Sequence, residues 1–212
     1  MTTLTRLAAL AALLALLVAC GPPQDPSWPL RMETDSIGFQ YAIAGGQAQW
    51  PSVRWNSTMG ATMATCPIDT CRAPATDMDG AVRAGHLPRV VIELGVNDAY
   101  DGWTSSDVLV WTRALDGLPQ DTCAVVVLPW STGADAPRIA PVRSWLSGQA
   151  TKRANVKALD WKPYASRPGV LGPDGTHLAP GAAGNGDYPI SAEAFDAWHD
   201  LVAAAARLCP AT

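Results

Sequence analysis

The chain has 212 residues, 48% of them hydrophobic, and a formal net charge of −4 from 15 Lys and Arg against 19 Asp and Glu. That length suits one domain with a sizeable core. Mild acidity without a Lys/Arg cluster argues against a nucleic-acid partner, because phosphate binding needs clustered cations.

Residues 1–19 read as a signal peptide. Arg6 gives a short positive start, and Leu7 to Val18 is an apolar run too short to span a bilayer, which takes about 20 residues. The ending Leu17-Val18-Ala19-Cys20 resembles a bacterial lipobox, which implies export, lipidation of Cys20 and anchoring to the membrane through the lipid. Residues 20–27, with Gly21-Pro22-Pro23-Gln24-Asp25-Pro26, read as an extended polar tether, and residues 28–212 as the folded domain.

Within that domain, Leu30 to Thr34 and Ser52 to Asn56 are short strand candidates. Arg89 to Leu94 and Cys123 to Leu128 are continuous apolar runs of the kind buried on both faces of a parallel sheet, and Asn155 to Asp160 is a fifth strand. Helical stretches fall between them. Asp35-Ser36 suits the cap of a helix starting near Gly38, and Ser106-Asp107 suits the cap of one running to Leu118, with Val108, Trp111 and Leu115 on one stripe. Pro137 to Lys152 reads as a helix with Pro141 in its first turn, and Ser191 opens an alanine-rich helix to Leu208. Pro163 to Gly186 is the longest irregular segment. Alternating strands and helices predict an α/β fold, a three-layer α/β/α domain with a five-stranded parallel sheet.

An even set of four further cysteines in an exported chain favours disulfides, with Cys66 paired to Cys71 and Cys123 to Cys209. Cys66 and Cys71 lack zinc spacing and a neighbouring His, so no metal is expected.

Chemistry concentrates in three places. A serine hydroxyl attacks an ester only when an imidazole takes its proton, and the imidazole works best when a carboxylate fixes its tautomer. Ser36, His177 and Asp174 fit those roles. His86 lies in a loop and His199 within the last helix, whereas only His177 has a carboxylate three residues earlier, with Gly175 turning the chain between them. Nine tryptophans against two phenylalanines is an unusual balance. Trp103 and Trp130 follow the third and fourth strands closely enough to line a substrate crevice, while Trp111, Trp145 and Trp198 suit packing.

The order of the motifs is informative: Thr34-Asp35-Ser36-Ile37-Gly38, then Asn56-Ser57-Thr58-Met59-Gly60, then Gly95-Val96-Asn97-Asp98, then Asp174-Gly175-Thr176-His177. This arrangement resembles the SGNH/GDSL hydrolases over the whole mature chain. The resemblance implies a flavodoxin-like fold and a catalytic triad of Ser36, His177 and Asp174. It further implies an oxyanion hole made by the N–H groups of Ser36 and Gly60 with the Asn97 amide, Asp98 as a structural partner, and no cofactor. Thr34 stands where that family usually has glycine. The resemblance implies a serine esterase that hydrolyses or transfers a small acyl group, acetyl foremost; export of the chain suggests a glycan or other ester substrate, and a monomer is expected. The alternatives are a lipase or thioesterase on longer acyl chains, or a catalytically silent glycan-binding lipoprotein.

Overall fold

A computed structural model describes residues 30–67, 72–85, 87–183 and 189–210. The signal peptide, the tether, Cys20, Cys71 and His86 lie outside the described residues.

The two most apolar runs lie where water reaches least. Arg89–Glu93 (β3) is buried along its whole length, and Cys123–Leu128 (β4) along all but its first residue. With Leu30–Thr34 (β1), Val53–Ser57 (β2) and Val156–Asp160 (β5) they form a parallel five-stranded sheet in the order β2-β1-β3-β4-β5. β2 and β5 are the edges and keep polar residues exposed, which is why their sequences look weaker. Each begins one residue later than the sequence suggests, and β3 ends at Glu93 rather than Leu94. The register sets Thr34 beside Ser57 on one side and Glu93 on the other, so three strands release their chains at one level of the carboxyl edge.

Helices flank the sheet in two groups. Ser36–Ile43 (α1) packs with Ala192–Leu208 (α7), and Lys162–Ala165 (α6) also meets α7. Pro74–Arg83 (α2) packs with Ser105–Asp116 (α4), and Val96–Tyr100 (α3) with Ala136–Lys152 (α5). A short strand, Pro180–Ala183 (β6), and α6 occupy part of the segment expected to be irregular.

Several boundaries correct the sequence reading. α1 starts on Ser36 itself, because the Asp35 carboxylate accepts the Ile37 N–H at 3.0 Å and closes the cap two residues earlier than Gly38. α4 is capped by Thr104, not by Ser106 or Asp107; Asp107 is the reciprocal partner of a capping box. In α5 it is Pro137 that sits in the first turn, and Pro141 lies deeper inside the helix. α2 is an unforeseen element, started by Pro74 and anchored by buried Met78. The Cys123–Cys209 disulfide is present as expected and joins the start of β4 to the end of α7. Cys66 is disulfide-bonded, but Cys71 lies outside the described residues.

Thr34 creates no backbone strain. It ends an extended strand, and among the described residues none but glycine has a positive φ. Its side chain is fully buried, and its hydroxyl donates to Ser57 Oγ at 2.8 Å. It fits because Gly38, one turn into α1, has no side chain: a Cβ there would stand 2.5 Å from the Thr34 Cβ. Gly38→Ala is therefore expected to lower stability by about 1–3 kcal/mol, as overpacked cores do. Adding Thr34→Gly should recover part of that loss, which thermal denaturation of the two variants beside wild type will measure.

Candidate functional site

The first peptide N–H groups of a helix have no partner within it, so a residue that opens a helix carries a spare donor beside its side chain. Ser36 is in that position on α1, directly after β1. Its side chain is nearly buried and its Oγ lies 3.0 Å from His177 Nε2, although the two residues are 141 apart in sequence. On the far side of the ring, His177 Nδ1 meets Asp174 Oδ2 at 2.7 Å. With Nδ1–H donated to the carboxylate, Nε2 faces the serine hydroxyl as an acceptor.

The Asp174–His177 turn is folded around its own carboxylate. Asp174 Oδ1 accepts the N–H groups of Thr176 and His177, each at 3.0 Å, and Gly175 takes φ +70° between them. Burial pushes the Asp174 carboxyl up, but the Thr176 N–H and the His177 ring outweigh it and hold the group below the usual carboxylate range. Gln40, one turn along α1 from Ser36, accepts the Leu178 N–H at 3.1 Å and ties the serine helix to the histidine turn.

Of the residues expected as oxyanion donors, Asn97 reaches the loop after β2 that holds Gly60. Gly60 is exposed with φ +76°, and Asn97 Nδ2 donates to the carbonyl of the next residue, Ala61, at 3.1 Å. That bond uses one of the two amide N–H groups of Asn97 and orients the other. Gly95, at φ +113°, lets the chain turn from β3 into α3 so that Asn97 lies in its first turn. Asp98 faces inward. Its Oδ1 accepts Trp111 Nε1 at 2.9 Å and the Met63 N–H at 3.4 Å, bracing the β2–α2 loop in keeping with the structural role expected of it.

Trp103 packs edge-on against Trp145, with ring centres 5.6 Å apart. Trp130 lies under Lys162 Nζ at 4.5 Å and Arg143 at 5.7 Å. Both half-buried rings thus make packing or cation–π contacts. His199 packs as expected, with Nδ1 3.2 Å from the Tyr41 hydroxyl and its ring against Trp50. Among the described residues no group of His, Cys, Asp and Glu is arranged to hold a metal.

Under the serine lies a feature that sequence reasoning missed. Asp35, Glu93 and Asp98 are all buried, and each has one carboxyl oxygen without a hydrogen-bond partner. Burial pushes Asp35 up to about 7 against the Ile37 N–H, with Asp98 adding repulsion. Burial and the nearby Asp35 raise Glu93 well above its ordinary range, and burial brings Asp98 to about 6 despite the Trp111 bond. The sequence signal was Glu93 directly after the apolar run Val90-Val91-Ile92.

No family model matches the sequence, and no curated protein is similar enough to match it. Solved structures share its fold. The C-terminal catalytic domain of peptidoglycan O-acetyltransferase A from Streptococcus pneumoniae, solved with a methylsulfonyl adduct, superposes with a TM-score of 0.64 at 20% identity over 85% of this chain and 93% of that one. A carbohydrate acetylesterase from Sinorhizobium meliloti gives 0.58 at 15% identity over 85% and 99%. A GDSL-like lipase from Bacteroides thetaiotaomicron gives 0.58 at 12% identity over 90% and 93%. The five-stranded α/β fold of SGNH hydrolases is therefore the fold of this chain.

Raised carboxyl values have a definite sign. The folded state holds more protons than the unfolded chain between the ordinary carboxylate range and about 7, so stability is fullest below pH 4 to 5 on this account and declines as pH rises through about 7. Melting curves from pH 5 to 8 should show that decline. Glu93→Gln, which keeps the shape and removes one of the two repelling carboxyls, should make it shallower.

Proposed function

We propose that this chain is a serine ester hydrolase that removes or transfers a small acyl group, acetyl foremost, from a glycan or similar ester. The observation that carries the reading is the unbroken hydrogen-bond relay from Ser36 through His177 to Asp174, at 3.0 and 2.7 Å. In the reaction Ser36 Oγ attacks the ester carbonyl while His177 Nε2 takes its proton. Asp174 stays ionised and stabilises the imidazolium. The Ser36 and Gly60 N–H groups and the free N–H of the Asn97 amide hold the developing oxyanion. His177 then returns the proton to the departing alkoxide as its C–O bond breaks, leaving an acyl group on Ser36. Water or a sugar hydroxyl, deprotonated by the same imidazole, attacks that acyl-enzyme and frees the serine. No metal or organic cofactor is required.

Acetyl chemistry on a glycan is in keeping with two of the fold's relatives, which act on peptidoglycan and carbohydrate by their descriptions. Export and a lipid on Cys20 rest on the lipobox-like sequence. Among the described residues no helix is long and apolar enough to cross a membrane.

Purified protein is expected to hydrolyse short-chain aryl esters and to be labelled by an organophosphonate ester. Ser36→Ala should abolish both, since loss of a triad member costs about 10⁴-fold or more. Asn97→Ala should slow turnover by about 10²- to 10³-fold with KM little changed, as expected of a donor engaged mainly in the transition state. His199→Ala should retain most of the activity. A folded wild type that neither turns over nor takes the label would favour the silent-binder alternative.

A further inference from the structure

The turn bearing Asp174 and His177 is irregular chain on the surface, yet the relay needs it held to within about 0.5 Å. What holds it is the loop between β4 and α5. Ser131 Oγ hydrogen-bonds Thr176 Oγ1 at 2.8 Å and accepts the Gly133 N–H at 3.0 Å, with both hydroxyl side chains buried. Thr132 N–H donates to Gly175 O at 2.8 Å. The two loops fit so closely that a Cβ on Gly133 would collide with the Asp174 carbonyl oxygen, and one on Gly175 with the Gly133 backbone.

The other end of the same loop reaches the opposite wall of the site. Asp135 occupies the N-cap position of α5, where an aspartate ordinarily accepts an N–H of its own helix, but its side chain makes no such bond. Its Oδ2 instead accepts the Tyr100 hydroxyl at 2.7 Å. Tyr100 closes α3, the helix that carries Asn97 in its first turn. Residues 131–135 therefore join the acid–base turn to the helix of the oxyanion amide.

We infer that this loop sets the position of the Asp174–His177 pair relative to Asn97, with Ser131 as its principal positioning residue. The inference rests on the catalytic reading above. The Ser131 hydroxyl bonds Thr176 and Gly133, and no bond runs from it to Ser36, His177 or Asp174. It acts through Thr176, the residue between Gly175 and His177, and loosening it lets the carboxylate drift from the imidazole without altering the residues that bind substrate.

The test uses the full chain with an aryl acetate and compares wild type, Ser131→Ala, Thr176→Val and the double variant. Each single change should lower kcat by about 10- to 100-fold with KM nearly unchanged, in line with small misplacements of catalytic groups. The double variant should be no slower than the slower single one, because both remove one bond. The acid-side limb of the pH profile of kcat/KM should move to lower pH, since an imidazolium that loses part of its carboxylate gives up its proton more readily. A merely structural contact would lower the melting temperature and leave that limb in place. Should Ser131→Ala fold poorly, Tyr100→Phe tests the loop from its half-exposed end and should give a smaller fall in kcat, again with KM unchanged. Wild-type kcat and pH profile in folded Ser131→Ala, or multiplicative losses in the double variant, overturn the inference while Ser36→Ala remains inactive. Full activity in Ser36→Ala overturns the catalytic reading and the inference together.

Discussion

The bond between Ser36 Oγ and His177 Nε2 is the contact on which the site depends, and it joins residues 141 positions apart. Nothing local produces it. It exists because β1 delivers Ser36 to the carboxyl edge of the sheet as the opening residue of α1, and because the Asp174–His177 turn is brought back over that edge. Three fastenings hold the return: Gln40 to Leu178 from α1, Ser131 to Thr176 from the β4–α5 loop, and the Asp174 carboxylate on its own turn. A parallel sheet favours this arrangement, since all its strands release their chains at one edge and the loops there meet.

The same constraint governs where glycine is needed. Gly95 and Gly175 take positive φ, one to turn β3 into the Asn97 helix and the other to set Asp174 three residues before His177. Gly133 and Gly38 are required for space instead, the first against the Asp174 carbonyl and the second against Thr34. Thr34 and Gly38 make a complementary pair: bulk on the strand is accommodated by its absence on the helix. Thr34 can stand where the resembled family has glycine because its extended backbone does not need the freedom of glycine.

The site was legible in the sequence where its chemistry is local. Asp174-Gly175-Thr176-His177 and Gly95-Val96-Asn97-Asp98 carry their own turns, so spacing predicts the Asp174–His177 contact, while the Ser36–His177 contact comes from the fold. β3 and β4 were legible because burial on both faces leaves an unbroken apolar run, while β2 and β5 shifted by one residue because half-exposed edges carry less signal. α2 was missed because its composition is polar and glycine-containing, and its helical state owes more to packing of Met78 than to propensity. For Trp103 and Trp130 the sequence does not choose between packing and crevice, because proximity in sequence to a site loop says nothing of which way a ring faces. Ser131 and Asp135 carried no signal at all: a loop serine and an N-cap aspartate look ordinary until their partners, 45 and 35 residues away, are known.

The carboxyl groups around the serine divide into two kinds, and the division suits the proposed chemistry. Asp174 is kept ionised by N–H groups and by the imidazole, so it can stabilise a positive ring. Asp35, Glu93 and Asp98 are instead pushed toward their neutral forms by burial. An ionised Asp35 beside the first turn of α1 would oppose the positive field that a helix N-terminus offers, and that field is what an oxyanion held by the Ser36 N–H would use. Pushing Asp35 and Glu93 toward their neutral forms leaves more of that field to the transition state. The one carboxylate that must be charged stands at the surface, where water, two N–H groups and the histidine share its charge, so burial and hydrogen bonding together sort four acids into two roles within a single site.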